Sequence, residues 1–204
     1  TALMTFLATQ SLKYAVTSST GYCQIYLDID HGAEIYVRAN NGKYFAFKDG
    51  KPTGMNPFQM EPNEENIEFL NIFIRKLATQ GGKTISTMDE TRIDKAIRTV
   101  MRMDRPYRSI TVFCQNITEG TTKEEKEDSI IKRLAKWCQG GQYAWVFDNP
   151  NDEIDFTVSN LFGFDGTAFL HNEITCVPVS MYLLHRTESV IDGRRFIYIM
   201  DECQ

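Results

Sequence analysis

The sequence predicts an α/β protein, a mostly parallel sheet interrupted by an all-helical subdomain. Three observations carry this. The run Phe196-Ile197-Tyr198-Ile199-Met200 is unbroken apolar sequence, the pattern of a strand buried on both faces of a parallel sheet. Ahead of it, a strand over 156–164, a helix with Pro178 in its first turn and a stop at Gly193 succeed one another over short connections. That is the layout of a strand–helix–strand crossover. Residues 57–150, by contrast, lose the β-forming pattern and read as successive capped helices. The expected organisation is a first core part over 1–56, a helical insert over 57–150 and a second core part over 151–204.

Residues 2–16 contain no helix breaker and place Leu3, Met4, Phe6, Leu7 and Leu12 on an apolar face, which predicts a helix. Ser18-Ser19-Thr20-Gly21 follows as a loop. Tyr22, Ile25, Tyr26 and Ile29 give a strand over 22–30 that closes on Asp28-Ile29-Asp30. A short helix over 33–39, broken by Asn40-Asn41-Gly42, leads to a strand over 43–48 built on Tyr44, Phe45 and Phe47. Pro52, Gly54 and Pro57 then mark a domain border. Asn63 is placed to cap a helix to about 80, with Ile67, Leu70, Phe73, Ile74 and Leu77 on one face, and Gly81-Gly82 stops it. Thr87-Met88-Asp89-Glu90 and Thr122-Lys123-Glu124-Glu125 read as capping boxes opening helices to about 103 and 138. In the second, Glu124, Glu125 and Glu127 sit early and Lys132, Arg133 and Lys136 late, which suits the helix dipole; the cluster reads as a solvated face. Phe147-Asp148-Asn149-Pro150 returns the chain to β structure, and a short helix over 167–171 follows the strand at 156–164.

Composition narrows the function classes. The 204 residues are 42% hydrophobic, enough for one sizeable core or a core with a subdomain, and the formal charge of −5 argues against a protein that coats nucleic acid. Five cysteines without a C-x-x-C spacing favour reduced thiols in the cytosol over a disulfide framework or a zinc site. His31, His171 and His185 show no metal-ligand spacing. No apolar run reaches the roughly 20 residues of a membrane span, and no signal peptide is visible. The chain opens on Thr1 directly in a helical pattern, so an internal piece of a longer protein is expected.

The last strand runs into Asp201-Glu202. Ligands of open α/β sheets bind outside the carboxyl ends of the strands, and an apolar strand ending in Asp-Glu fits the Walker B pattern of nucleotide hydrolases. There the Asp holds Mg²⁺, directly or through water, and the Glu activates the attacking water. An acidic turn after a strand fits the same residues. Gly82-Lys83-Thr84 is not the matching phosphate loop, because Leu77 stands where that pattern needs its first Gly and a long helix precedes it. Thr1 stands where the hydroxyl residue closing a phosphate loop would stand if Gly-Lys came before it, although any helix can begin with Thr. Asp28, Asp30 and Asp165, at or near strand ends, read equally as site-bordering acids and as loop or capping acids.

Several segments in fixed order are more specific than any one motif. They are Thr1-Ala2-Leu3-Met4-Thr5-Phe6-Leu7-Ala8-Thr9-Gln10, Tyr26-Leu27-Asp28-Ile29-Asp30-His31-Gly32-Ala33-Glu34-Ile35, and Thr53-Gly54-Met55-Asn56-Pro57-Phe58. Gly140-Gly141-Gln142-Tyr143 comes next, then Gly163-Phe164-Asp165-Gly166-Thr167, Tyr182-Leu183-Leu184-His185-Arg186 and Asp192-Gly193-Arg194-Arg195 ahead of Asp201-Glu202. In this order they resemble the large ATPases of type IV secretion and conjugation systems, of the TrbE/CagE kind, over essentially the whole chain.

The resemblance implies a partial RecA-like P-loop NTPase core interrupted by the helical insert. It implies a homo-hexamer at the cytoplasmic face of a bacterial inner membrane, working with other secretion components and inner-membrane channel proteins on a protein or DNA substrate. Carried over, Thr1 would be the Walker A hydroxyl that binds ATP and Mg²⁺, Asp201 the Mg²⁺-associated acid and Glu202 the catalytic base. The phosphate loop's glycines and Lys are not in this sequence, so these residues alone are expected to hydrolyse ATP negligibly. A non-catalytic interaction module whose insert docks a partner, and a motor that pumps DNA, remain the alternatives. Trp137, Tyr143 and Trp145 could stack bases in the latter, although packing within the insert is the plainer use.

Overall fold

In the computed structural model, which describes residues 2–17, 21–170 and 172–200, four strands form one parallel sheet. They are β1 (Tyr22–Asp28), β2 (Lys43–Ala46), β3 (Leu161–Asp165) and β4 (Arg195–Met200), in the order β2-β3-β1-β4. The α/β class with a parallel sheet is as the sequence predicts. The described residues divide into two compact units, one holding the sheet and the other holding Gly50–Ile154 with Ile174–Tyr182.

In the sheet unit, α1 (Ala2–Ser11), α2 (Lys13–Thr17) and α3 (Glu34–Ala39) flank β1 in sequence. Alternation along the strands separates two faces. One collects Ala8, Tyr26, Ala33, Tyr36, Val37, Tyr44, Leu161 and Ile199, with Met4, Leu12 and Ile197 packed against them. The other is a set of phenylalanines: Phe45 stacks on Phe164 at 5.0 Å and 4°, and Phe156 meets Phe162 edge-on at 4.9 Å. Gly163 lies on the first face because a Cβ there would come within 2.4 Å of the Tyr44 ring.

Four expectations for this unit need correction. The helix over 2–16 is two helices, since the Ser11 hydroxyl turns back to the Ala8 carbonyl at 2.7 Å and competes with the helical ladder. Its apolar face is only partly packed, with Leu3, Phe6 and Leu7 exposed. The strand over 156–164 starts only at Leu161, because the Asp155 carboxylate captures the Thr157 amide at 2.8 Å in a local turn. β4 is not buried on both faces: among the described strands it ends the sheet, and only Ile199 along it is buried.

The helical unit contains α4 (Glu64–Ala78), α5 (Thr87–Met101), α6 (Ile110–Asn116), α7 (Lys123–Glu127), α8 (Ile130–Leu134) and α9 (Ala144–Phe147). Its core gathers Leu70, Phe73 and Ile74 of α4, Ile97 and Val100 of α5, Phe113, Trp137 and Phe147. Phe73 meets Phe147 edge-on at 5.0 Å, and Trp137 lies 5.2 Å from Tyr143. Trp137 is fully buried and Tyr143 nearly so, which makes both packing residues and not a base-stacking platform. Asn63 caps α4 through the Asn66 amide, as predicted. The cap of α5 is Ser86, one residue before the expected Thr87, exchanging bonds with Asp89. The helix from Thr122 does not run to 138; its capping box forms, but Ser129 caps a new helix, α8, and splits the charge cluster. Lys83 is held by Asp128 at 2.9 Å and Thr84 by Arg133, so Gly82-Lys83-Thr84 is an ordinary inter-helix loop.

The segments that lead into and out of these helices are clamped together by amides. Asn56 Nδ2 donates to the carbonyls of Arg108 and Asn149 at 2.9 and 2.6 Å, and Asn149 Nδ2 donates to Met55 at 2.9 Å. The Glu153 amide donates to the Gly54 carbonyl at 2.7 Å. Gly54 has a φ of +73°, and a Cβ there would come within 2.9 Å of the Glu153 side chain, so any other residue would be strained.

Finally, β3 leads through α10 (Thr167–Leu170) to α11 (Glu173–Glu188). Pro178 lies inside α11, not in its first turn, which corrects the expected start. A proline there has no N–H for the carbonyl of Ile174. Gln80 Nε2 supplies the missing bond at 2.7 Å, and the helix continues.

Candidate functional site

The carboxyl edge of a parallel sheet is where its connections open a ligand site. Here β1 and β3 end side by side, Asp28 in register with Asp165 and both 1% exposed. β4 reaches the same edge, with Met200 opposite Leu27. Asp201 and Glu202, the next residues in sequence, lie outside the described residues, and so does Thr1.

A buried carboxylate persists only when donors replace its water. Asp28 Oδ2 accepts from the Ala33 amide and Oδ1 from the Tyr44 hydroxyl at 2.9 Å. Burial pushes the Asp28 carboxyl above its ordinary value, while the Ala33 and Tyr44 bonds pull the other way. Burial, with the Asp28 bond added, pushes the Tyr44 phenol well up, so Tyr44 stays a donor. Asp165 turns its Oδ1 onto the amide of Thr167 at 3.0 Å and onto its hydroxyl, opening α10. Its Oδ2 lies 3.3 Å from His31 Nε2, and His31 Nδ1 lies 3.3 Å from Glu34.

The two turns at this edge are joined. Thr167 Oγ1 accepts from the Asp30 amide at 2.7 Å, and the Gly166 amide donates to the Asp28 carbonyl at 2.8 Å. Asp30 and His31 have φ of 56° and 58°, the left-handed region that non-glycine residues seldom enter. Asp28 and Asp165 therefore act as anchors for the turns that shape the edge, with their oxygens already engaged. Among the described residues no group of three His, Cys, Asp or Glu side chains could hold a metal ion. The sequence alone does not mark His31 and Tyr44 as site residues. The Asp-His-Gly run after a strand is the only local sign, and nothing in the sequence near Tyr44 points to Asp28.

A parallel sheet of this order, with acids gathered at its carboxyl edge, defines an α/β protein of the kind that binds ligands beyond its strand ends. The solved structure of VirB4 from Thermoanaerobacter pseudethanolicus is similar, with a TM-score of 0.61 at 15% identity over 97% of this chain and 57% of that one. No family model matches the sequence. Curated proteins do: the type IV secretion system protein virB4 of Brucella suis is 48% identical over 99% of this chain. PtlC of Bordetella pertussis, also a type IV secretion system protein, is 40% identical over 99%, and virB4 of Bartonella henselae 38% over 99%. The chain belongs to this VirB4/PtlC family of type IV secretion proteins. It spans about a quarter of the length of the curated relatives it matches, 25% for the Brucella proteins. No described helix is long and apolar enough to cross a membrane.

Proposed function

We propose that the protein containing these residues is an ATPase that energises type IV secretion, and that the carboxyl edge of the sheet borders its nucleotide site. The supporting observation is that β4, directly beside β1, runs in sequence straight into Asp201-Glu202, within a chain 48% identical to a secretion protein. Thr1 offers a hydroxyl and Asp201 a carboxylate, hard oxygen donors suited to Mg²⁺. Asp28, with both oxygens occupied, is a poor ligand and a good support for the end of β1, the strand paired with β4. Bound Mg²⁺ would supply charge neutralisation on the phosphates of ATP. Glu202 would orient water and take its proton, and the tied turns around Asp30 and Thr167 would keep that edge in one shape.

On this reading residues 57–150 form an all-helical insert between core parts 1–56 and 151–204. The working form is a homo-hexamer at the cytoplasmic face of the inner membrane, engaging channel proteins and other secretion components while protein or DNA is moved. In the full-length protein Glu202→Gln is expected to keep nucleotide binding and lose turnover by about 10²-fold or more. Equilibrium binding and phosphate release measured on the same preparation check this, and turnover near the wild-type rate would remove Glu202 from its role. The 204 residues alone are expected to release phosphate negligibly, since their sequence holds no phosphate loop.

A further inference from the structure

The helical unit contains two thiols that the nucleotide reading leaves unused. Cys114 lies in α6, and Cys138 follows the 3-10 turn Ala135–Trp137. Both are free, yet their sulfurs are only 3.2 Å apart. Cys138 also points at the Leu134 carbonyl, 3.4 Å away. Cys114 is 9% exposed and Cys138 more open to solvent, so the pair has one accessible and one enclosed member.

We propose that Cys114 and Cys138 are a reversible redox pair, in which Cys138 reacts first and Cys114 closes the disulfide. The oxidant is a small-molecule disulfide of the glutathione class. The Cys138 thiolate attacks one sulfur of that disulfide, forming a mixed disulfide and releasing one glutathione thiolate. Cys114 then gives up its proton and its sulfur attacks the Cys138 sulfur, which expels the second glutathione. Two thiols and one glutathione disulfide become one protein disulfide and two glutathione thiols, with two electrons passing from the pair to the oxidant.

The order of attack follows from the local chemistry as well as from exposure. The bond to Cys114 holds the Cys138 thiol below its ordinary value against the effect of burial. The same bond, with burial added, pushes the Cys114 thiol up. The closed bond would tie α6 to the end of the 135–137 turn. It would thereby bridge the segment carrying α7, the Ser129 cap and α8.

The full-length protein, equilibrated in glutathione buffers of rising oxidised fraction, tests this by differential alkylation and peptide mapping. The expected result is a Cys114–Cys138 cross-linked peptide pair that dithiothreitol reverses, with proteolysis between 116 and 130 slowed several-fold in the oxidised form. Cys114→Ala is expected to stall Cys138 as a glutathione adduct, and Cys138→Ala to leave Cys114 unmodified. Should either variant fail to fold, mapping of the wild-type protein still decides. Cys114 and Cys138 both remaining alkylatable at the most oxidising ratio, or ending in separate adducts, would overturn the proposal.

Discussion

Among the described residues, the buried charged groups of the sheet unit are acids, Asp28 and Asp165, set at the ends of neighbouring strands, with Gln24 and Thr187 as its neutral buried polar residues. In the helical unit the buried polar groups include amides, Asn56 and Asn149, set where the chain enters and leaves the helices, while the acids stay outside in ion pairs such as Glu64–Arg98 and Asp128–Lys83. The difference is instructive about cost. A buried amide is neutral and binds distant segments wherever carbonyls can be satisfied. A buried carboxylate must overcome desolvation, and among the described residues buried carboxylates stand only along the sheet edge. Where a chain places its costly groups is a better guide to its working surface than where it places its many charges.

The sharpest way to break this comparison is to remove an amide. Asn149→Ala strips the donor from the buried Met55 carbonyl and the further Asn149 bonds to Trp145 and Val146, and is expected to cost about 3 kcal/mol. Both tryptophans, Trp137 and Trp145, lie in the helical unit, so urea unfolding followed by tryptophan fluorescence reads this loss directly. Gly163→Ala attacks the sheet unit by packing alone. Its Cβ would strike Tyr44, and about 2 kcal/mol of destabilisation is expected from amide exchange in β1 and β3. If it also lowers the affinity of the full-length protein for nucleotide, the tie from Tyr44 to Asp28 matters to the edge.

Smaller effects separate the two kinds of acid by the sign of their pH dependence. Asp28 is raised from its ordinary 3.8, so its contribution is complete below that value and is lost as pH rises through its folded value. Asp128, with Arg133 and Lys83 donating to it, is lowered to about 2, so its contribution is present above 3.8 and is lost as pH falls toward about 2. Stability-difference curves for Asp28→Asn and Asp128→Asn should therefore slope in opposite directions across the acid range. Salt should flatten the second curve far more than the first, because Asp128 is exposed and screened. The smallest change is expected for Lys83→Ala, a surface partner whose loss should barely move the thermal midpoint.

Much of the fold was legible in sequence where a local rule decides the outcome. Asn63 and the Thr122–Glu125 box could be read because a cap needs only residues within one turn. The misses came where a distant or competing group won. The apolar run of β4 signalled a strand correctly, but burial on both sides depends on neighbours the run itself does not contain. Ser129 divided an expected helix because a serine ahead of an apolar pair caps as well as it continues. At the site, Asp28 and Asp165 were visible as acids at strand ends, whereas their partners Tyr44 and His31 were hidden. Asp28 and Tyr44, 16 positions apart in sequence, meet only through strand order, which no spacing rule encodes. Thr1, Asp201 and Glu202 lie outside the described residues and rest on sequence motif and kinship.

The passage of α11 through Pro178 carries an evolutionary consequence. Gln80, 94 positions from Ile174 in sequence, completes the bond that the proline withholds, so neither residue is free to drift by itself. A lineage that exchanged Pro178 for an ordinary residue would restore the helical N–H and release Gln80 from its task. One that first exchanged Gln80 would withdraw this donor from the Ile174 carbonyl while the proline still withholds its own. The two sites should thus be substituted together across the family, with the proline changing first, and that covariation would appear in an alignment as a coupling between positions 80 and 178.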